Sequence, residues 1–155
     1  MRIQEERPDQ ADVLVLLAQL DAYLAALYPA ESNHLLDINA LLDARVIFMV
    51  ARDDAGKAIG CAAIVRHRDY AELKRMFVDP SRRGAGTARQ LLDALTAHAR
   101  ADGLARLMLE TGIHQTAAIA LYRRAGVTGC APFGGYQPDP LSLFMEKAVI
   151  ESGQN

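Results

Sequence analysis

The chain has 155 residues, of which 51% are apolar and 23% charged, and its formal net charge is −2. Such a length carries one domain with a sizeable core, and the mixture of charges is not that of a disordered chain. The near-neutral balance argues against the strongly basic footprint of a nucleic-acid binder, though not against a local basic patch, and no run approaches the ~20 apolar residues that would span a membrane.

Along the chain, Met1 to Glu6 suits a short strand, and Pro8 and Asp9 suit the start of a helix. Val13, Leu16, Leu17, Leu20, Leu24 and Leu27 recur at three- and four-residue steps, one face of that helix, which Tyr28-Pro29 stops. Asp37 can cap a second, short helix running through Leu42. Val46 to Ala51 is an unbroken apolar run, as expected of a strand covered on both faces. Asp53 to Lys57 reads as a hairpin turn and Ile59 to Val65 as the return strand. A second reversal near Arg68-Asp69 leads into a strand from Ala71 to Val78, which Asp79-Pro80 ends because proline cannot donate to a ladder. The long helix that follows carries Ala88, Leu91, Leu92, Leu95 and Ala99 on one face and Arg89, Asp93 and Arg100 on the other, and Gly103 suits its left-handed cap. Arg106 to Glu110 is a further strand. A helix from Thr116 to Ala125 presents Ala118, Leu121, Tyr122 and Ala125 and ends at Gly126. An extra strand can lie within 127–133, and the last strand is Leu141 to Lys147.

Three meandering strands followed by two strand–helix units predict an α/β fold, a mixed sheet of six to seven strands with helices on both faces. It forms one domain over residues 1–150, with a polar tail from Glu151 to Asn155. Cys61 and Cys130 stand far apart among apolar or small residues and read as reduced core cysteines. No Cys or His pair has metal-ligand spacing, so an organic cofactor and no metal are expected. Met1 to Arg7 holds no apolar signal-peptide core, which with the reduced cysteines predicts a cytoplasmic protein.

The most informative stretch is Phe77-Val-Asp-Pro-Ser-Arg-Arg-Gly-Ala-Gly-Thr-Ala-Arg-Gln-Leu-Leu92. A strand ends, a few residues turn, and a helix opens at glycines. First-turn amides of a helix lack internal acceptors and lie at the positive end of its dipole. Gly84 and Gly86 let backbone approach a bulky anion, Ala85, Thr87 and Ala88 are too small to block it, and Arg82 and Arg83 add charge. Together they predict a pyrophosphate cradle. A dinucleotide-binding turn competes, but Arg89 stands where its third glycine belongs, and the turn comes after half the chain. A Walker A loop is excluded by the lack of its Gly-Lys-Ser/Thr ending.

These residues resemble the GNAT superfamily of acyl-CoA-dependent N-acyltransferases, whose pyrophosphate motif is Gln/Arg-x-x-Gly-x-Gly/Ala. Arg83-Gly-Ala-Gly86-Thr-Ala88 fits it; in the neighbouring register Ser81 departs from the expected Gln or Arg. The family's second block, Asn-x-x-Ala-x-x-Leu-Tyr-x-x-x-Gly-Phe, is similar to Gln115-Thr-Ala-Ala118-Ile-Ala-Leu121-Tyr122-Arg-Arg-Ala-Gly126-Val127, with Gln115 and Val127 departing. A helix and a strand, 28 residues, separate Gly86 from Gln115.

The resemblance implies transfer of the acetyl group of acetyl-CoA to a primary amine of a small molecule or peptide, by direct attack in a ternary complex. It implies cofactor contacts from Arg83, Gly84, Ala85, Gly86, Thr87, Ala88 and Gln115. It also implies that the strand ending at Val78 splays from the next parallel strand, so that backbone of Met76, Phe77 and Val78 pairs with the pantetheine arm. Tyr122 matches the tyrosine that gives the departing thiolate its proton, and its hydroxyl is un-ionised near neutrality. Glu72, six residues before Val78, is a candidate base, and by alternation shares a face with Lys74, Met76 and Val78. Glu110 is a second candidate, and the Phe77 or Val78 amide can serve the oxyanion. The acceptor pocket is expected to draw on Tyr28, Glu31 and His34, with Phe133 and Tyr136 as walls. His67, His98 and His114 are expected at element ends or on solvent faces. Many relatives dimerise, so a homodimer is one expected arrangement. Two other readings stand beside the enzyme: an acyl-CoA-binding sensor without turnover, and a nucleotide-binding oxidoreductase.

Overall fold

Two tight reversals set the first half of the sheet. The computed structural model describes residues 1–32 and 36–150. In it β2 (Val46–Arg52), β3 (Ala58–Arg66) and β4 (Tyr70–Val78) form an antiparallel meander. Asp53 closes the first turn, its amide donating to Lys57 O while its carboxylate accepts from the Ala55 and Lys57 amides. The His67 amide closes the second by donating to Tyr70 O. β1 (Arg2–Glu5) pairs antiparallel with β2, and β5 (Arg106–Gly112) runs parallel to β4. β7 (Ser142–Ala148) lies antiparallel between β5 and β6 (Thr128–Gly129). The mixed sheet thus has seven strands in the order β1-β2-β3-β4-β5-β7-β6. The extra strand expected within 127–133 is short: Cys130 still donates to Phe144 O, but Pro132 cannot extend the ladder.

Four helices cover the two faces. On one, α1 (Ala11–Leu27) packs Val13, Leu16, Leu17, Leu20 and Leu24 against Phe48, Val50, Ala63 and Phe77, with α2 (Ile38–Leu41) adding Leu41. On the other, α3 (Thr87–Ala101) packs Leu91, Leu92 and Leu95 against Ile47, Met49, Ile64 and Leu73, and α4 (Thr116–Arg124) adds Tyr122. β2 and β3 touch both layers, hence their unbroken apolar runs. Asp37 caps α2, accepting from the Ala40 amide at 2.8 Å. Two details differ from the sequence pattern. Leu27 stays exposed, because Tyr28 leaves α1 in extended backbone and takes the buried place itself. Cys61 is a core residue, but Cys130, at the end of the short β6 pairing, is only half-buried; both are free thiols. No helix among the described residues is long and apolar enough to cross a membrane.

β4 carries the irregularity that makes the site. Between the pairs Cys61↔Phe77 and Ala63↔Lys74 it has one residue more than β3, and Arg75 stands there at φ +60°. Such a bulge shifts the phase of alternation. Lys74 lies opposite Ala63 on the α1 side, and Glu72 shares that face, whereas Val78 and Met76 pack with the α3 side. The common face expected for Glu72, Lys74, Met76 and Val78 is therefore broken, because alternation counts assume a regular ladder. The parallel pairing of β4 with β5 ends at Leu73↔Leu109, and the strands part beyond it.

Candidate active site

The gap between the parted strands opens into a cleft of about 490 Å³. Met76, Phe77 and Val78 form one wall, and the first turns of α3 and α4 form the other. Gly84 at φ +89° and Gly86 at φ +82° hold the turn in a left-handed conformation that a side chain would strain. The positions a Cβ would take are open space, so nothing screens the backbone there. Gly86 and Gln115 are the N-caps of α3 and α4, and neither helix has a side-chain cap. Two sets of first-turn amides without internal acceptors thus border one cleft, the arrangement that suits an anion.

Four arginines line the same space: Arg82, Arg83, Arg89 and Arg124. Arg82 is anchored on Asp53 at 2.8 Å. Arg83 donates through Nε to Val78 O at 3.1 Å and lies over the Phe77 ring at 5.6 Å. Because the Asp79 amide donates to Ile59 O, strand alternation turns the Val78 amide away from β3, toward the cleft, and keeps that of Phe77 on the ladder. Ala85 is exposed and does not line the cleft, and Thr87 turns its hydroxyl to the Met1 sulfur, 3.2 Å away.

Leu20, Met76 and Gln115 border both the cleft and a smaller pocket of about 80 Å³. Tyr28, Ser32, Lys74, Glu110 and Tyr122 are among its lining residues. Tyr122 comes from α4 and is 5% exposed, and burial pushes its hydroxyl pKa upward. Glu110 comes from β5 beyond the last pairing with β4. Its Oε2 is buried without a hydrogen-bond partner among the described residues. Burial raises the Glu110 carboxyl to about 7; Lys74 opposes the rise, and the carboxylates of Asp139 and Glu72 add to it.

Glu72 is differently placed. It is 6% exposed and does not border the pocket. Its Oε2 accepts from the Tyr136 hydroxyl at 2.5 Å and lies 3.2 Å from Lys74 Nζ, which also donates to Tyr136. His67 Nε2 is 3.3 Å from Oε1. Burial and the Glu72 carboxylate push the Tyr136 hydroxyl pKa upward. Phe133 packs edge-on to Tyr136, with centroids 5.1 Å apart. Ser32 donates to Asp139 at 2.8 Å, tying the loop after α1 to the loop before β7. Tyr28 accepts from the His114 amide at 3.0 Å. It packs so closely on β5 that a Cβ at Gly112 would lie 1.9 Å from its oxygen.

Of the residues predicted for the acceptor pocket, the structure therefore brings Tyr28 to the pocket and Tyr136 to the adjoining cluster. Glu31 is exposed on a 3-10 turn and borders neither cavity, because Ser32 takes the inward position. His34 lies outside the described residues. Sequence reasoning missed Leu20, Tyr23 and Arg124 in the cleft. Arg124 had a signal, standing seven residues after Ala117 and three after Leu121 on one helix face. Leu20 and Tyr23 had none, since only the packing of α1 brings them there. No cluster of His, Cys, Asp or Glu among the described residues is arranged to hold a metal ion.

Residues 14–127 match the family model of the acetyltransferase (GNAT) family. The chain is 51% identical over 149 residues to an IAA acetyltransferase of Azospirillum brasilense, covering 95% of this chain and 97% of that protein. It is 33% identical over 124 residues to YsnE, an uncharacterised N-acetyltransferase of Bacillus subtilis, covering 78% and 82%. The crystal structure of a candidate acyl-CoA N-acyltransferase of Klebsiella pneumoniae superposes with a TM-score of 0.82 at 41% identity, over 96% of this chain and 97% of the other. An aminoglycoside 6'-N-acetyltransferase solved with coenzyme A shares the fold, with a TM-score of 0.75 at 16% identity over 99% and 100%.

Proposed function

The chain belongs to the acetyltransferase (GNAT) family, and from that premise we propose that it acetylates a small primary amine, with Glu110 as base and Tyr122 as acid. It is an acetyl-CoA-dependent N-acetyltransferase; the acceptor and the residue roles rest on the site. The observation that carries the assignment is the Glu110 carboxylate. It borders the same small pocket as Tyr122, has a buried oxygen without a partner among the described residues, and is pushed up to about 7 by burial.

The cleft fits acetyl-CoA by its own features: a turn whose glycines leave the backbone bare, two uncapped helix N-termini, and four arginines. Arg83, Gly84, Gly86, Thr87 and Ala88 would hold the pyrophosphate, Gln115 the far wall, and the Val78 amide the pantetheine arm. Acetyl-CoA supplies an activated thioester carbonyl. Glu110 takes the proton of the acceptor's ammonium at Oε2, the oxygen that has no other partner among the described residues. Burial keeps the Tyr122 hydroxyl protonated well above neutrality, so a proton for the departing thiolate is held in the small pocket that adjoins the cleft. Glu72 is a positioning group: its Oε2 is engaged by Tyr136 and Lys74, His67 stands beside Oε1, and it orients the wall rather than taking a proton. Tyr28 and Tyr136 shape the acceptor side. The small pocket volume favours a small amine over a peptide terminus.

The test is CoA release measured with a thiol reagent across amino acids, polyamines, aminoglycosides, peptide N-termini and simple alkylamines. Acetylated product from small amines is expected. A second reading has one specific support, the 51% identical relative named for IAA. Indole-3-acetic acid therefore belongs in the panel, and acetylated IAA with no acetylated amine would select that reading. Tight acetyl-CoA binding with no product from any acceptor of the panel would place the acceptor outside the small amines and remove the support for Glu110 and Tyr122 in their roles.

A further inference from the structure

A bulge residue with positive φ favours glycine, because a Cβ is strained there. In β4 the place is held by Arg75, which among the described residues is the one non-glycine at positive φ. Its side chain is 3% exposed. Nη1 lies 2.7 Å from Asp21 Oδ1, Nη2 donates to Leu17 O at 3.3 Å, and Nε is buried without a partner among the described residues. Both contacts are on α1. From the other side, the Cys61 thiol donates to the Arg75 carbonyl at 3.5 Å, fastening the bulge to β3. A guanidinium is thus used to tie a strained strand residue to a helix, where glycine would have relieved the strain alone.

The bulge is also where the two cavities meet. Met76, the next residue, borders both the cleft and the small pocket. On α1, Leu20 borders both as well, one helical turn from Leu17 and beside Asp21. Arg75 therefore links the two walls of the passage between the cavities.

We propose that Arg75 is a positioning residue for acetyl-CoA: its clamp on Leu17 and Asp21 holds the left-handed bulge and sets the spacing of Met76 from Leu20. The inference rests on the reading of the cleft as the acetyl-CoA site. Removing the clamp leaves α1 free to shift against β4, which changes how the cofactor seats before it changes the chemistry at Glu110 and Tyr122.

Three variants separate this from a purely structural role. Arg75→Gly keeps the positive φ and removes the clamp, Arg75→Lys keeps the charge without the fork, and Asp21→Asn weakens the clamp from its half-exposed end. Thermal stability, kcat, KM for acetyl-CoA and calorimetric Kd for CoA are measured for each. Arg75→Gly is expected to raise KM and Kd about tenfold with kcat within about threefold, Arg75→Lys to recover part of that loss, and Asp21→Asn to give about a threefold rise. If Arg75→Gly does not fold, the other two variants carry the same comparison. A fall in stability with KM and Kd at wild-type values overturns the proposal. Failure of the wild-type chain to bind CoA overturns it together with the cleft reading, whereas wild-type binding with unchanged variants overturns the proposal alone.

Discussion

Glu110→Gln removes a carboxylate that the fold holds at a cost, so it should raise stability while it lowers activity. The ordinary carboxyl value is 4.5 and the folded one about 7. At about 1.4 kcal/mol for each tenfold change, the ionised form is worse off in the folded protein by about 3 kcal/mol, reduced to about 2–3 kcal/mol by solvent at its exposed edge. The sign follows from proton uptake. Below 4.5 both states hold the proton and the carboxyl contributes nothing. Between 4.5 and 7 only the folded state holds it, so stability falls as pH rises, and above 7 the full cost is present. Gln carries no such cost. Differential scanning fluorimetry at pH 8 should therefore show Glu110→Gln melting about 4–12 °C above wild type, with the gap closing by pH 4.5. In the same variant kcat/KM should fall about 10²-fold or more, and the rising limb of the wild-type pH–rate profile near 7 should vanish. Equal melting temperatures at pH 8, or a limb near 7 that survives the substitution, would refute the reasoning.

Tyr122→Phe keeps the packing of α4 and loses the proton, so kcat should drop about 10²-fold with KM for acetyl-CoA within about twofold, read from steady-state kinetics. Gly86→Ala places a Cβ at φ +82° in open space, so it should cost about 1 kcal/mol by urea titration. It should also weaken CoA binding about tenfold by calorimetry, because the methyl screens the bare turn. Gly112→Ala drives a Cβ into the Tyr28 ring and hydroxyl and should cost about 1–3 kcal/mol by the same titration, and an unchanged midpoint would show that Tyr28 packs elsewhere.

Nearly every element was legible in the residues, for reasons that differ from place to place. The α3 stripe from Ala88 to Ala99, the Asp53 turn and the Asp37 cap are local signals, each spent within a few residues, and each formed as read. The Gly84-Ala-Gly86 turn was legible because its conformation lies in the backbone of one short segment. The surroundings of Glu72 were not legible, since spacing from the turn says nothing of the Tyr136 and Lys74 that meet its Oε2 from 64 and two residues away. Arg75 could not be singled out at all: an arginine in a strand carries no mark that it will stand at positive φ.

What the sequence by itself determined is the order of elements, the glycine turn at the head of α3 and the family, because periodicity, capping and glycine conformations act over short range. Only the tertiary structure decided how the two candidate carboxylates are placed. The bulge at Arg75 reset the faces of β4, and the end of pairing at Leu73↔Leu109 opened the gap. Burial across that gap left Glu110 Oε2 without a hydrogen-bond partner among the described residues, whereas Glu72 Oε2 is held by Tyr136. Desolvation is a property of everything packed around a group, and no local spacing encodes it.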